Sequence, residues 1–377
     1  MTPANRRQLI GFIGLLIALS IIAACTLQWT YKIGFVGGLT GRQSDIGVAG
    51  RNGAILAVEE LNKAGGIGGR QVELIVKDDH NDPALVRSID EGLIDSGVTA
   101  IIGHMTSVTA VASLPVVDSG KALIITPTAT ADVLSRRDDM MITVMSPVGA
   151  MAEVQAVTAI NRLNIKRMAI IYDSSNPEYT QNWVKAFSAS YQQLGGRIVR
   201  TLSFISGSNV AYENLANEAA GFRPAGVLIV AGAVDAAMFG QWLRKTGLTV
   251  PLFSSSWAMT ADFIQHGGQA VEGSLFSSSF SPDDNSQTYS QFVHNYQERF
   301  GMPPNYAAAY SYEAVQILAA GIGQAGSTQP QAVKKAILAQ GRFSGLRGEL
   351  TINAAGDVSR VCRMVTVKDG QFVTYGE

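Results

Sequence analysis

The chain has 377 residues, more than one ordinary hydrophobic core accommodates and enough for two domains. Charged residues make up 16% and the net charge is -1, so nothing marks a surface for nucleic acid or another polyanion. With 47% hydrophobic residues and 39 glycines, the composition instead suits a well-buried α/β protein with many tight turns.

The opening segment is not expected to belong to the fold. Arg6 and Arg7 form a short basic region, and an apolar run over 9–24 follows, broken only by Gly11, Gly14 and Ser20. A basic start, an apolar stretch and small residues before a cut site describe an export signal. Cys25, directly after Ile22-Ala23-Ala24, looks like the cysteine of a bacterial lipobox. Residues 1–24 are therefore read as a lipoprotein signal peptide, Cys25 as the lipidated N-terminus and 25–30 as a tether. An uncleaved anchor is the alternative, although the run falls short of the ~20 residues of a comfortable span. Either way, the body of the chain is expected outside the cytoplasm, tethered to a membrane.

From residue 31 the pattern alternates. A strand over 31–36 precedes a helix over 46–64 that stops at Gly65-Gly66. A strand over 72–76 leads to Asp82 and Pro83, a cap followed by a first-turn proline, and a helix to about residue 96. A strand over 100–102, a helix over 107–119 and a strand over 122–126 continue the series. The rhythm restarts after Ser146-Pro147, with helices over 148–163, 178–194, 212–220 and 234–245. Strands over 168–172, 197–204 and 227–230 separate them. After Gly273 the chain turns helical over 286–300, 306–325 and 331–340, then closes with strand-like 349–352, 361–367 and 372–374. Short apolar strands separated by helices imply right-handed crossovers and parallel, doubly wound sheets.

Beyond Cys25 there is one cysteine, Cys362, so no disulfide is expected within the mature domain and burial alone must stabilise it. The alternation around Cys362 reads as a small apolar strand residue.

Catalytic chemistry finds little support. The four histidines, His80, His104, His266 and His294, are not spaced as ligand pairs, and no G-x-S-x-G elbow is present. Gly65-Gly66-Ile67-Gly68-Gly69 follows a helix and precedes a strand, the reverse of a phosphate cradle. Asp78, Asp79 and Asp82 suit a turn and a helix cap better than a cation site. No metal, cofactor or enzymatic activity is expected.

Strand ends carry the better signal, because open α/β sheets bind ligands at the carboxyl ends of their strands. One such end leads into Gly103-His104-Met105-Thr106-Ser107-Val108-Thr109, and its neighbour into Thr126-Pro127-Thr128-Ala129-Thr130-Ala131. Two adjacent hydroxyl-rich loops can hold a carboxylate without a counter-charge. The alternative is plain capping by Ser107 and a Thr-Pro turn.

Those loops also carry a resemblance. Gly37-Gly38-Leu39-Thr40-Gly41, Asn62-Lys63-Ala64-Gly65-Gly66-Ile67, Asp78-Asp79-His80-Asn81-Asp82-Pro83 and Ile101-Ile102-Gly103-His104, with the 125–131 loop, resemble the branched-chain amino-acid-binding family of periplasmic binding proteins. The likeness runs on, more weakly, through Ala169-Ile170-Ile171-Tyr172-Asp173 and residues 307–314. It implies the type I fold, an α/β architecture of two lobes joined by three crossings. Lobe I would comprise 31–146 plus 275–352, and lobe II 147–274 plus 353–377. It also implies a solute in the inter-lobe cleft and an ABC permease in the membrane as partner. A sensor of the same fold is the alternative to a transport receptor.

By family pattern, Ser107 binds the solute carboxylate through its hydroxyl and N–H, with Thr106 beside it. The Thr128 carbonyl accepts from an α-ammonium, and the Thr130 hydroxyl meets the same head group. The second lobe departs from the pattern. Trp257 falls where an acid usually faces the ammonium, and Gly149, Ala233 and Ile46 replace other usual contacts. A micromolar receptor has only about 8.2 kcal/mol of binding free energy. An ion pair that lacks one buried partner typically costs about 3–5 kcal/mol. An amino acid therefore needs another acid, with Asp235 and Glu178 as candidates, or cation–π help from Trp257 of about 2 kcal/mol. Otherwise the solute is a carboxylate or amide without the charged amine.

Overall fold

The computed structural model describes residues 30–376 apart from residue 208, so the export segment and Cys25 lie outside the described residues. The first sheet holds β1 (Tyr31–Gly37), β2 (Val72–Asp78), β3 (Ala100–Ile102), β4 (Leu123–Thr126) and β5 (Met141–Thr143), all parallel, in the order β2-β1-β3-β4-β5. Ile101, Ile102, Ile124 and Ile125 are fully buried between the flanking helices. The short, continuously apolar strands have their cause there, since both faces of a parallel sheet are covered.

The second sheet is built from β6 (Arg167–Asp173), β7 (Arg197–Phe204), β8 (Gly226–Val230), β9 (Leu252–Ser254) and β10 (Leu275–Ser278). After a small antiparallel sheet of β11 (Arg342–Gly345), β12 (Gly348–Ile352) and β13 (Val358–Ser359), the chain returns to it as β14 (Arg363–Lys368) and β15 (Gln371–Thr374). Its order is β15-β14-β10-β9-β8-β6-β7. The parallel core is as expected, but β14 and β15 run antiparallel at its edge.

Two readings from the sequence change. The segment 275–352 was assigned to the first lobe, yet β10 at its start pairs with β9 and β14 in the second sheet, so the crossing follows Ser278. Four residues of mixed small and apolar character do not say which sheet they join. The helix expected over 107–119 is two helices, Ser107–Ala112 and Leu114–Asp118, broken at Ser113. Pro115 has no N–H to continue the ladder. Cys362 lies one residue before β14, free and half-buried.

Helix Asp45–Lys63 packs against helix Tyr306–Ala325 at close range. A Cβ on Gly53 would lie 2.0 Å from the Ala308 carbonyl oxygen, so the helices must separate to admit one. Gly53→Ala is expected to cost about 1–3 kcal/mol by overpacking. Urea unfolding should show a lower midpoint at unchanged slope.

The crossings are tied by Arg360. Its N–H donates to Ser146 Oγ at 3.1 Å and its guanidinium to the Val144 carbonyl at 3.1 Å, while it pairs with Glu313. The guanidinium also lies over the Tyr310 ring, 4.8 Å from its centroid. Two chain crossings and a first-lobe helix thus share one cation.

Candidate functional site

The carboxyl ends of the two sheets meet face to face. Side-chain contacts stitch the lobes together there, among them the following. Arg42 lies 2.9 Å from Asp235, and the Gln43 amide donates to Asp173 at 3.2 Å. Thr260 Oγ1 donates to Asp45 at 2.7 Å, and the Val108 N–H donates to Asn176 Oδ1 at 3.0 Å.

Between these contacts lies a small cavity, with about 270 Å³ of atom-free space. Three rings line it, Tyr179, Trp257 and Tyr306, with Ile46, Met105 and Met145 adding apolar wall. Its polar lining is neutral: Thr106, Thr128, Asn176 and Ser256. Tyr179 meets Trp257 edge-on, with centroids 5.7 Å apart at 82°. Burial pushes the Tyr179 hydroxyl up to about 12, although the nearby Ser255 and Ser256 hydroxyls and Trp257 backbone favour its ionised form. No partner of good hydrogen-bond geometry reaches that hydroxyl, so the small stabilisation from those neighbours does not offset burial. It remains neutral at any physiological pH.

The first-lobe loops are organised by their own hydroxyls. Ser107 Oγ accepts the Thr130 N–H at 3.1 Å, which joins the two loops at one point. Thr128 Oγ1 donates to the Met105 carbonyl, and Thr126 Oγ1 to the His104 carbonyl at 2.8 Å. Thr106 and Thr109 pair through their hydroxyls at 2.8 Å. Thr130 Oγ1 is different: it is buried and has no partner among the described residues, as is true of the Tyr179, Ser255, Ser274 and Ser277 hydroxyls. An unpaired buried hydroxyl is costly, and Thr130's position on a strand-end loop makes it a candidate donor to a ligand.

Of the residues read from the sequence, Thr106, Thr128 and Trp257 line the cavity. Ser107 and Thr130 are not among its lining residues, but each adjoins or lies near one in the chain, and they bond each other. Asp235 is elsewhere. It is 1% exposed, held by Arg42, Tyr212 and Ser206, and belongs to the seam between the lobes instead of the cavity wall. Sequence could not reveal this, because Arg42 reaches it from the opposite lobe. Glu178 does not line the cavity either, although its Oε2 is buried without a partner.

Sequence reasoning missed Asn176, Tyr179 and Tyr306. The first two sit where β6 meets helix Pro177–Gln193, another strand end that a ligand search by topology would have included. Tyr306 opens a helix after the Asn305 cap and carries no comparable signal.

Because Arg42 is 37% exposed, its pair with Asp235 is screened by solvent. Arg42→Ala is expected to weaken solute binding only about two- to fivefold, by loosening the closed form. Calorimetric titration should show that loss with the ligand-free melting temperature unchanged.

The family described as periplasmic binding protein matches residues 30–371. The Leu/Ile/Val-binding protein homolog 1 of Brucella suis is 28% identical over 334 residues, 85% of this chain and 85% of its own. A solved leucine-binding protein from Thermotoga maritima gives a TM-score of 0.85 at 25% identity, covering 92% of this chain and 98% of that one. A solute-binding protein of an ABC transporter from R. palustris, solved with benzoate, gives 0.84 at 20% identity over 92% of this chain and 96% of that one. At that identity the likeness is one of fold.

Proposed function

The chain belongs to the periplasmic binding protein family, and from that premise we propose that it is the solute-binding receptor of an ABC transporter. It binds and does not catalyse. Its solute is a small amino acid of branched-chain type or a related carboxylate, held in the inter-lobe cavity. Export and a lipid on Cys25 keep it at the outer face of the membrane, where the closed form meets a permease. The relatives named for leucine, isoleucine and valine binding support the solute class.

One observation carries the site. Thr130 donates its N–H to Ser107 Oγ while its own hydroxyl is buried and unpartnered among the described residues, near a cavity lined by both lobes. Ser107 keeps its hydroxyl proton free to donate, and Thr130 adds a second donor. A carboxylate satisfies both, and hydrogen bonds to a charged group are the strong ones.

The test is a thermal-shift screen of amino acids, aliphatic and aromatic acids and small amides. A solute at about a thousand times its Kd adds about 4 kcal/mol to folding stability. The reading stands if an acid gives such a shift and Ser107→Ala lowers it by about 1.4 kcal/mol or more, a tenfold or greater loss of affinity. It falls if that substitution leaves the shift unchanged.

A further inference from the structure

We infer that the solute carries no charged amine: it is an apolar monocarboxylate, not an α-amino acid. This rests on the carboxylate reading above and narrows it. Among the described residues, none that lines the cavity is acidic, and none is basic. A zwitterion would therefore leave its ammonium among rings, thioethers and neutral hydroxyls. Removing an ammonium from water is compensated only by a close counter-charge of good geometry.

Each carboxylate near the cleft is otherwise engaged or outside the lining. Asp235 is bound by Arg42, Tyr212 and Ser206. Asp173 accepts from Ser175, the Ser206 N–H and Gln43. Asp45 accepts from Thr260, and burial, only partly offset by that bond, raises its pKa. Glu178 lies outside the lining, as Ser107 and Thr130 do, and its buried Oε2 has no partner among the described residues, so it is the acid an ammonium would have to reach.

The rings do not substitute for an acid. Tyr179 and Trp257 meet edge-to-face, so one face of one ring is covered by the other. Cation–π attraction is also weaker than a desolvated ion pair. The same walls suit a hydrocarbon body well, because three rings and three apolar side chains contribute by burial without needing any charge from the solute. The Ser107 and Thr130 hydroxyls supply what a lone carboxylate requires, which is donors.

Matched solutes test this on the purified chain by calorimetric titration. Leucine is compared with 4-methylpentanoate, phenylalanine with 3-phenylpropanoate, and leucinamide controls for the carboxylate. Within each pair the deaminated acid should bind at least about tenfold tighter, and leucinamide should not bind. An amino acid that binds as tightly as its deaminated partner overturns the inference while leaving the carboxylate site standing. Glu178→Gln and Asp45→Asn then show which acid serves the ammonium, by weakening the amino acid and not its deaminated partner. If leucinamide binds as well as the acids, or if no member of either pair binds, the carboxylate reading itself falls, and the inference with it.

Discussion

Thr130→Val should weaken binding of the solute by roughly 10- to 100-fold and leave the ligand-free protein as stable as before or slightly more so. The two halves of that result have one cause. A hydrogen bond to a charged group contributes about 1.5–3 kcal/mol, which at 1.4 kcal/mol per decade gives the stated loss. In the ligand-free chain the same hydroxyl is buried with no partner, so replacing it with a methyl removes a desolvation penalty and no bond. Ser107→Ala behaves differently. It deprives the Thr130 N–H of its acceptor and is expected to cost about 1–3 kcal/mol of stability as well as affinity. Together the two substitutions should weaken binding by roughly 10²–10⁴-fold. Titration calorimetry gives the affinity and urea unfolding the stability. A Thr130→Val protein that binds normally, or one that is markedly less stable, contradicts the assignment of that hydroxyl to the solute.

The second large effect concerns the foundation of the same loop. His104 is fully buried between two fully buried aspartates, with Nδ1 3.0 Å from Asp79 and Nε2 3.2 Å from Asp90. Burial alone would lower its pKa, but the Asp90 charge and the hydrogen bonds to Asp79 and Asp90 raise it to about 9. The imidazolium is thus the charged form at neutral pH. His104→Leu leaves two buried carboxylates without their shared cation and should cost about 3–5 kcal/mol. Binding should suffer too where the backbone at 104 shifts, because its carbonyl anchors Thr126 at the start of the second ligand loop.

The pH dependence has a definite sign. The folded value lies above the unfolded 6.5, so this stabilisation is complete below about pH 6.5 and fades as pH rises through about 9. A shift of that size corresponds to about 3 kcal/mol. Urea unfolding of the parent protein at pH 6 and pH 9.5 should differ by that order, and His104→Leu should flatten the profile. An unchanged stability across that range would show that the imidazole is neutral.

Much of this was legible because local rules and global fold agree. Ile101-Ile102 and Ile124-Ile125 read as buried strands from their apolar continuity, and they are. Asp82 before Pro83 reads as a cap, and its side chain accepts the Ala84 N–H at 2.9 Å. That Thr106 and Thr128 line the cavity was legible because a strand end places its following loop at the sheet's carboxyl edge, whatever the partner lobe does.

Pairing across the cleft was not legible. Asp235 looked available to an ammonium until the fold brought Arg42 to it from a position 193 residues away. Tyr306 entered the cavity from a helix far along the chain, and β10 joined the second sheet by an edge choice that four residues do not encode. The sequence by itself determined the alternating architecture, the two hydroxyl-rich loops and the absence of an acid at Trp257, because these depend on periodicity, turn chemistry and residue identity. Tertiary structure alone decided which carboxylates are already bonded and which hydroxyls, Thr130's among them, are left over. Those are questions of distance between lobes, and hydrogen bonds and ion pairs fall away within a few ångströms of separation.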